Sequence, residues 1–303
     1  MHHDDNLSGG GLRRRRFLRY LLAGAAGSLC AGTLTAPQAR RAWAAAPKAP
    51  PSPPGWPPDK AGTTGITVKP DDPSISAAPI EFPAFLTTLQ GYLATPTGGE
   101  TYPAILILHD ASGLSEHYRD IARRLAKLGY VALVPDLLSR SGGTAKLGGD
   151  AKVADAMTRI PIPKFVQDMN SAMRYLEAHP LVSKTRVGML SFGLGGVFSW
   201  FLLADNSDVK AAAIYYGGVP NLNLVPHIST SVLAVFGDGD GHDEADLKEL
   251  DAAMKKAGTP WTYKIEAKAG RGFFDDTRRG YTPEAAKDAW KIALDWYEKH
   301  LTA

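Results

Sequence analysis

The sequence predicts an α/β fold, a mostly parallel central sheet with helices on both faces. Three observations carry that expectation. Short, wholly apolar runs recur along the chain, as strands buried on both faces require. Segments with apolar residues at helical spacing separate them. Gly or Pro punctuates several of the junctions, so strand and helix alternate rather than cluster.

Taken in order, residues 66–68 and 85–94 are expected to pair antiparallel at one sheet edge. Residues 104–108, Ala-Ile-Leu-Ile-Leu, form the first doubly buried strand. Residues 115–128 follow as a helix with Ile121, Leu125 and Leu128 on one face, stopped by Gly129. Residues 130–134 are the next buried strand, ended by Pro135. The glycine pairs 142–143 and 148–149 lie in a polar loop that reads equally as a flap or a solvated excursion. A helix is expected over 165–178, a strand over 186–190 and an apolar helix over 195–203. Strands follow at 211–215, 232–236 and 261–265, with helices at 244–256 and from 283 to about 300.

The composition bounds the rest. With 44% hydrophobic and 21% charged residues, the 303-residue chain is a folded globular protein rather than a disordered one. The net charge of +3 is too balanced for a nucleic-acid binder. One cysteine excludes a disulfide scaffold or a Cys-rich metal site. No apolar stretch reaches the roughly 20 residues that span a bilayer.

The N-terminal 46 residues read as an address. Arg13 to Arg16, Phe17, Leu18 and Arg19 precede a 15-residue apolar and small run from 20 to 34, and Ala42-Trp43-Ala44 and Ala44-Ala45-Ala46 offer cleavage sites. The arginines resemble a twin-arginine export motif, with Arg14-Arg15 as the pair. Periplasmic or secreted localisation follows, with no membrane attachment after cleavage. Cys30 would leave with the leader, which leaves a thiol-free mature chain suited to an oxidising compartment. Residues 47–58 hold seven prolines and make residues 47–65 an extended linker. Residues 66–303, continuously patterned, are then a single domain.

In such sheets, function collects at the C-terminal ends of strands. Three segments fall there: His109-Asp110-Ala111-Ser112-Gly113-Leu114, the glycine-rich turn Ser191-Phe192-Gly193-Leu194-Gly195-Gly196, and Gly270-Arg271-Gly272-Phe273-Phe274, with Asp240 on the loop before the last. Together with Gly129-Tyr130 through Pro135-Asp136-Leu137 and the run from Tyr281 to Trp290, these segments resemble the dienelactone hydrolase family of the α/β-hydrolase fold over roughly residues 66–301. The resemblance implies an ester or lactone substrate, no metal and no cofactor. It also implies a nucleophile–Asp–His order along the chain.

Position by position, two of the three catalytic places are changed. The family turn G-F-C-x-G-G puts its nucleophile where this chain has Gly193. The family A-G-H-G-F-F puts its histidine at Arg271, and only Asp240 is kept. The family acid after His109, usually Glu, is the shorter Asp110. Glycine cannot attack, and arginine stays protonated up to about pH 12, so neither can perform the usual acyl transfer. The resemblance also makes the backbone amides of Leu194 and Ala111 the oxyanion hole, which needs no particular side chain. The chain is therefore expected to bind a small carboxylate or other anion through Ala111, Leu194 and Arg271, beside Asp110, with Asp240 as the partner of Arg271. An unused pocket on a retained fold is the plainer outcome. An active ester or lactone hydrolase using water activated by His242 or Asp110, or a relocated Ser–His pair, is the enzymatic one.

Other candidates are weaker. Ser191 is expected to be buried under the turn, and Ser112 and Ser115 to be turn and cap residues. Asp238-x-Asp240-x-His242 opens like a calcium loop, but Asp243 stands where that loop needs glycine. Trp200, Phe201, Trp290 and Trp296 read as core. No protein partner is legible.

Overall fold

A computed structural model describes residues 66–301. The leader and linker expected over 1–46 and 47–65 lie outside the described residues. In chain order the strands are β1 (Ile75–Ala84), β2 (Thr87–Pro96), β3 (Tyr102–Leu108), β4 (Val131–Pro135), β5 (Val182–Phe192), β6 (Val209–Tyr215), β7 (Ser231–Gly237) and β8 (Trp261–Glu266). They form one sheet in the spatial order β1-β2-β4-β3-β5-β6-β7-β8. From β4 to β8 every neighbouring pair is parallel, and the β1–β2 hairpin closes one edge antiparallel.

Seven α-helices accompany them among the described residues: α1 (Glu116–Lys127), α2 (Thr144–Leu147), α3 (Asp150–Thr158), α4 (Ile162–Glu177), α5 (Gly193–Asp205), α6 (Glu244–Ala257) and α7 (Pro283–His300). Successive residues of a strand face opposite ways, so the apolar run of β3 feeds two cores. Ile105 and Ile107 pack in the cluster that holds Ile121 and Leu125 of α1 and Trp290 and Tyr297 of α7. Ala104, Leu106 and Leu108 pack in the other, with Met169 of α4, Phe198 of α5 and Met254 of α6. Each such Leu or Ile, fully withdrawn from water, contributes about 1.5–3 kcal/mol. That is why the run has no polar member.

The edge differs from the sequence expectation. Residues 66–68 form no strand; the outer strand is β1, with Ile75 opposite Pro96 and Ala84 opposite Thr87. Pro79 and Pro83 disguise it, yet an edge strand tolerates a missing donor on its open side. Phe85 and Leu86 are the turn, with Leu86 at φ 54, so β2 begins two residues later than the apolar pattern suggests.

The segment at 66–68 is instead tied down by charge. Asp120 of α1 accepts hydrogen bonds from the Thr67 and Val68 amides at 3.0 and 2.8 Å. Arg123 donates to the Val68 carbonyl, and Arg124 to the Thr67 hydroxyl at 2.6 Å. Both arginines also pair with Asp120, and Arg124 reaches Asp276 at 3.1 Å, which in turn lies 3.0 Å from His117 Nδ1. These groups are almost wholly buried. Buried charge persists only when paired, and here every charge faces an opposite one.

The glycine-rich stretch is not a featureless loop. Gly142, Gly143, Gly148 and Gly149 all take positive φ; they bracket α2, and the second pair leads into α3. Thr144 fastens it: its amide and hydroxyl donate to Asp136 at 2.7 and 2.8 Å, and its oxygen accepts the Leu114 amide at 3.0 Å.

Candidate active-site pocket

Strand order reverses at β3, with β4 on one side and β5 on the other. Such a reversal opens a crevice at the C-terminal ends of the strands. Register then fixes what meets there. Leu108 is the partner of Ser191, and Phe192 the partner of Tyr215. Asp110, Gly193 and Tyr216 therefore leave adjacent strands at one level. Asp240 and Arg271 follow β7 and β8 on the same end of the sheet.

The turn from β5 into α5 is the sharp strand-to-helix bend that presents a side chain over a sheet. Gly193 sits at φ 50, in the left-handed region. Its neighbours are glycine for a steric reason. A Cβ on Gly195 would collide with the His109 carbonyl, and one on Gly196 would lie 2.7 Å from Gly217 Cα. Phe192 caps α5, so the Leu194 amide belongs to the first turn, which has no intrahelical acceptor. Among the described residues the Ala111 amide takes no acceptor either. Two free amides and a helix N-terminus remain at the bend.

The side chains differ. A Cβ at 193 would lie 3.0 Å from Asp110 Cβ and 3.8 Å from the Tyr216 ring, so the space that a nucleophile would fill is narrow and faces Asp110. Asp110 Oδ1 accepts from the Ser112 amide at 2.7 Å and from its hydroxyl at 2.5 Å. Ser112 is thus a turn residue, as expected. Ser191 is fully buried, its hydroxyl donating to Ser199 at 3.2 Å. Ser115 stands at the N-cap position of α1 without a side-chain cap bond.

Asp240 is fixed by the Gly237 amide, which donates to Oδ2 at 2.8 Å, while its buried Oδ1 has no partner. Burial pushes its carboxyl above the ordinary 3.8; the Gly237 bond and the charges of Arg271 and His242 oppose this only in part. The direct Arg271–Asp240 pairing expected from the sequence is not formed. No ion pair within 4.0 Å joins them among the described residues, and Arg271 is exposed. It rides an open loop between Gly270 and Gly272, where hydration holds the guanidinium better than a half-buried carboxylate would. The segment is nonetheless seated at the site: Phe273 packs on Tyr216 and Phe274 on Phe192, with ring centroids 5.3 and 5.6 Å apart. His242 lies against Phe236, and its Nδ1 has no hydrogen-bond partner among the described residues. Asp243, the residue that spoils the calcium pattern, caps α6 by accepting the Ala245 amide at 2.8 Å.

Sequence reasoning missed Tyr216. It is 2% exposed, stands at φ 42 without being glycine, and its hydroxyl has no partner. Burial first, and then the Asp110 and Asp275 carboxylates, push its phenol well above the ordinary 10, so it is a donor at neutral pH. The available signal was its place, one residue past a buried strand beside the turn. His109 is a structural histidine: Nδ1 bonds the Asp110 carbonyl at 2.9 Å, and Nε2 accepts the Leu137 amide at 3.1 Å. Atoms of His117, Asp275 and Asp276 lie within 4.8 Å of one another, close enough for one cation. Their carboxylates are already engaged by Arg124 and Arg278.

The bend thus leaves the Leu194 and Ala111 amides without an acceptor among the described residues, and it carries no nucleophilic side chain at position 193. Comparisons agree with the architecture. The dienelactone hydrolase family model matches residues 89–301. A Methylorubrum extorquens protein assigned as a carboxymethylenebutenolidase is 28% identical over 249 residues, covering 78% of this chain and 86% of its own. A Bradyrhizobium protein assigned as a 2-oxo-3-(5-oxofuran-2-ylidene)propanoate lactonase is 29% identical over 222 residues, 69% of this chain and 89% of its own. The crystal structure of dienelactone hydrolase from Anabaena variabilis superposes with a TM-score of 0.59 at 20% identity, over 76% of this chain and 100% of that one.

Proposed function

Because the chain belongs to the dienelactone hydrolase family, we propose that it is an exported member in which the family pocket serves recognition rather than Cys-His-Asp hydrolysis. The ligand is a small carboxylate or other anion. Its oxygen sits at the Leu194 and Ala111 amides, and Arg271 guards the mouth as a permanent cation. One observation carries the reading: the bend keeps its positive φ and its close-packed glycines, while its apex, Gly193, has no side chain at all. The leader, by its arginines and short apolar core, supports a periplasmic or secreted location.

Calorimetric titration of the intact chain with acetate and benzoate tests the reading. Arg271→Ala is expected to weaken binding about tenfold, the worth of one charge-assisted contact. Equal affinity in the variant rejects it.

One observation favours a second reading, residual hydrolysis by water. Asp110 borders the place of the absent nucleophile, its Cβ 3.0 Å from where a Cβ at 193 would stand, which makes its carboxyl the candidate to activate a water there. Aryl-ester turnover that Asp110→Asn abolishes would establish that reading in place of the first.

A further inference from the structure

The sheet has two outer strands, β1 and β8, and they are built differently. An outer strand leaves a row of backbone amides and carbonyls open to pairing, which proteins ordinarily blunt with proline or charge. β1 is blunted by Pro79 and Pro83, which have no amide hydrogen to offer. β8 holds no proline. Its ladder to β7 shows which of its groups stay open. The Val232 amide donates to the Pro260 carbonyl at 2.9 Å, and the Asp238 amide to the Glu266 carbonyl at 3.0 Å. The amide and carbonyl of one strand residue point to the same side, and that side alternates along the strand. Thr262, Lys264 and Glu266 therefore turn theirs to β7, while those of Trp261, Tyr263 and Ile265 point outward. The side chains of these three share one face of the sheet. None of them is fully buried, and Ile265 is 39% exposed, a large apolar side chain left in water on an open edge.

We infer that β8 is a self-association edge, and that its occupant is β8 of a second copy of this chain, running antiparallel. The strand is complementary to itself in one register. With Tyr263 opposite its own copy on the two-fold axis, Trp261 faces Ile265 and Thr262 faces Lys264. Every outward amide and carbonyl of the two strands is then paired. On one face Trp261 covers the exposed Ile265 of the other copy, an aromatic and β-branched cross-strand pair. On the other face no like charges meet. Sliding the strands so that Tyr263 faces Ile265 would set Lys264 against Lys264 and carry Trp261 past the end of the strand to Ala267. A symmetric pairing of this kind is closed, so assembly stops at a dimer. Antiparallel pairing also points the C-terminal ends of the two sheets in opposite directions, so the two Gly193 bends face away from each other.

Sedimentation equilibrium of the intact chain between about 1 and 200 µM tests the inference, because dimerisation follows concentration by mass action. The mass is expected to rise from one chain to two and no further. Tyr263→Pro removes an outward amide and leaves the β7 ladder intact, as the prolines of β1 do on their own edge. Ile265→Lys keeps the backbone and puts a charge into the seam, so it still decides the matter should Tyr263→Pro fail to fold. Each is expected to weaken dimerisation by about tenfold or more. Oxidative cross-linking reads the register. In a non-hydrogen-bonded antiparallel pair the Cα atoms lie about 4.5 Å apart, within reach of a disulfide. In a Cys30→Ser background, Thr262→Cys and Lys264→Cys chains should form a covalent dimer when mixed and not when kept apart. A chain that stays monomeric throughout, a dimer that Ile265→Lys leaves unchanged, or cross-linking that is absent from the mixture or as strong without mixing overturns the inference.

Discussion

Two regions of this molecule bury polar groups, and they do it in opposite ways. Beneath α1, Asp120, Arg123, Arg124, Asp276 and His117 are packed against one another, each charge facing an opposite one. At the C-terminal ends of β6 and β7, Tyr216 and Asp240 each keep an atom without a hydrogen-bond partner, as His117 does in the first region, but no ion pair reaches Asp240 among the described residues. The carboxyls report the contrast. Burial alone would raise Asp276, but His117 and Arg124 hold it below 3.8, whereas Asp240 stays above it. A closed set of charges is architecture: it fastens residues 66–68 to α1 and α1 to the loop after β8. Asp240 carries its charge without such compensation, which is why burial keeps its carboxyl raised.

The comparison breaks most visibly if the closed set is opened. Asp276→Ala leaves Arg124 with one buried partner fewer and is expected to lower stability by about 3 kcal/mol, measured by urea unfolding. A change below about 1 kcal/mol would mean that the network is incidental. On the open side, Arg271→Ala should cost the tenfold in anion affinity while shifting stability by less than about 0.5 kcal/mol, since the side chain is exposed. Asp240→Asn sharpens the contrast through its sign. A carboxyl raised in the fold penalises stability fully above its folded pKa and not at all below the unfolded value of 3.8. The variant should therefore be the more stable protein at neutral pH, with the advantage shrinking on acidification and gone below 3.8. Smallest of all is Asp72, lowered to about 2 chiefly by its bond from Lys127. That exposed pair is worth at most about 0.5 kcal/mol, present above 3.8 and lost as pH falls towards 2. Thermal melts of Asp72→Asn across that range would show it.

Most of the parallel sheet was legible in the sequence, because strands buried on both faces leave uninterrupted apolar runs such as 104–108 and 232–236. The edge was not. Pro79 and Pro83 argue against a strand by composition and are permitted in β1 only because one side of an edge strand needs no donors. At the site, Gly193, Arg271, Asp110 and Asp240 were readable as positions on a motif, and Ser191 as a residue beneath the turn. Tyr216 was not, since its significance lies in strand register: only the pairing of Phe192 with Tyr215 brings it to the side of Gly193. The absence of a direct Arg271–Asp240 bond was equally hidden, because it depends on how far an exposed loop carries a long side chain from a fixed carboxylate. The pairing of Asp120 with Arg123 and Arg124 has a visible local spacing, but the sequence does not show that it is buried or that it reaches Asp276, 156 positions from Asp120.

The central claim is that the bend has kept its backbone and lost its chemistry. It is tested most directly by aryl-ester and dienelactone turnover of the intact chain beside its Gly193→Cys/Arg271→His variant. The new Cβ must displace Asp110 by a few tenths of an ångström and accept positive φ, as an L-residue at such a bend does. Turnover near background in the wild-type chain and well above it in the double variant is the predicted result; wild-type turnover already as high as that of the variant contradicts the account.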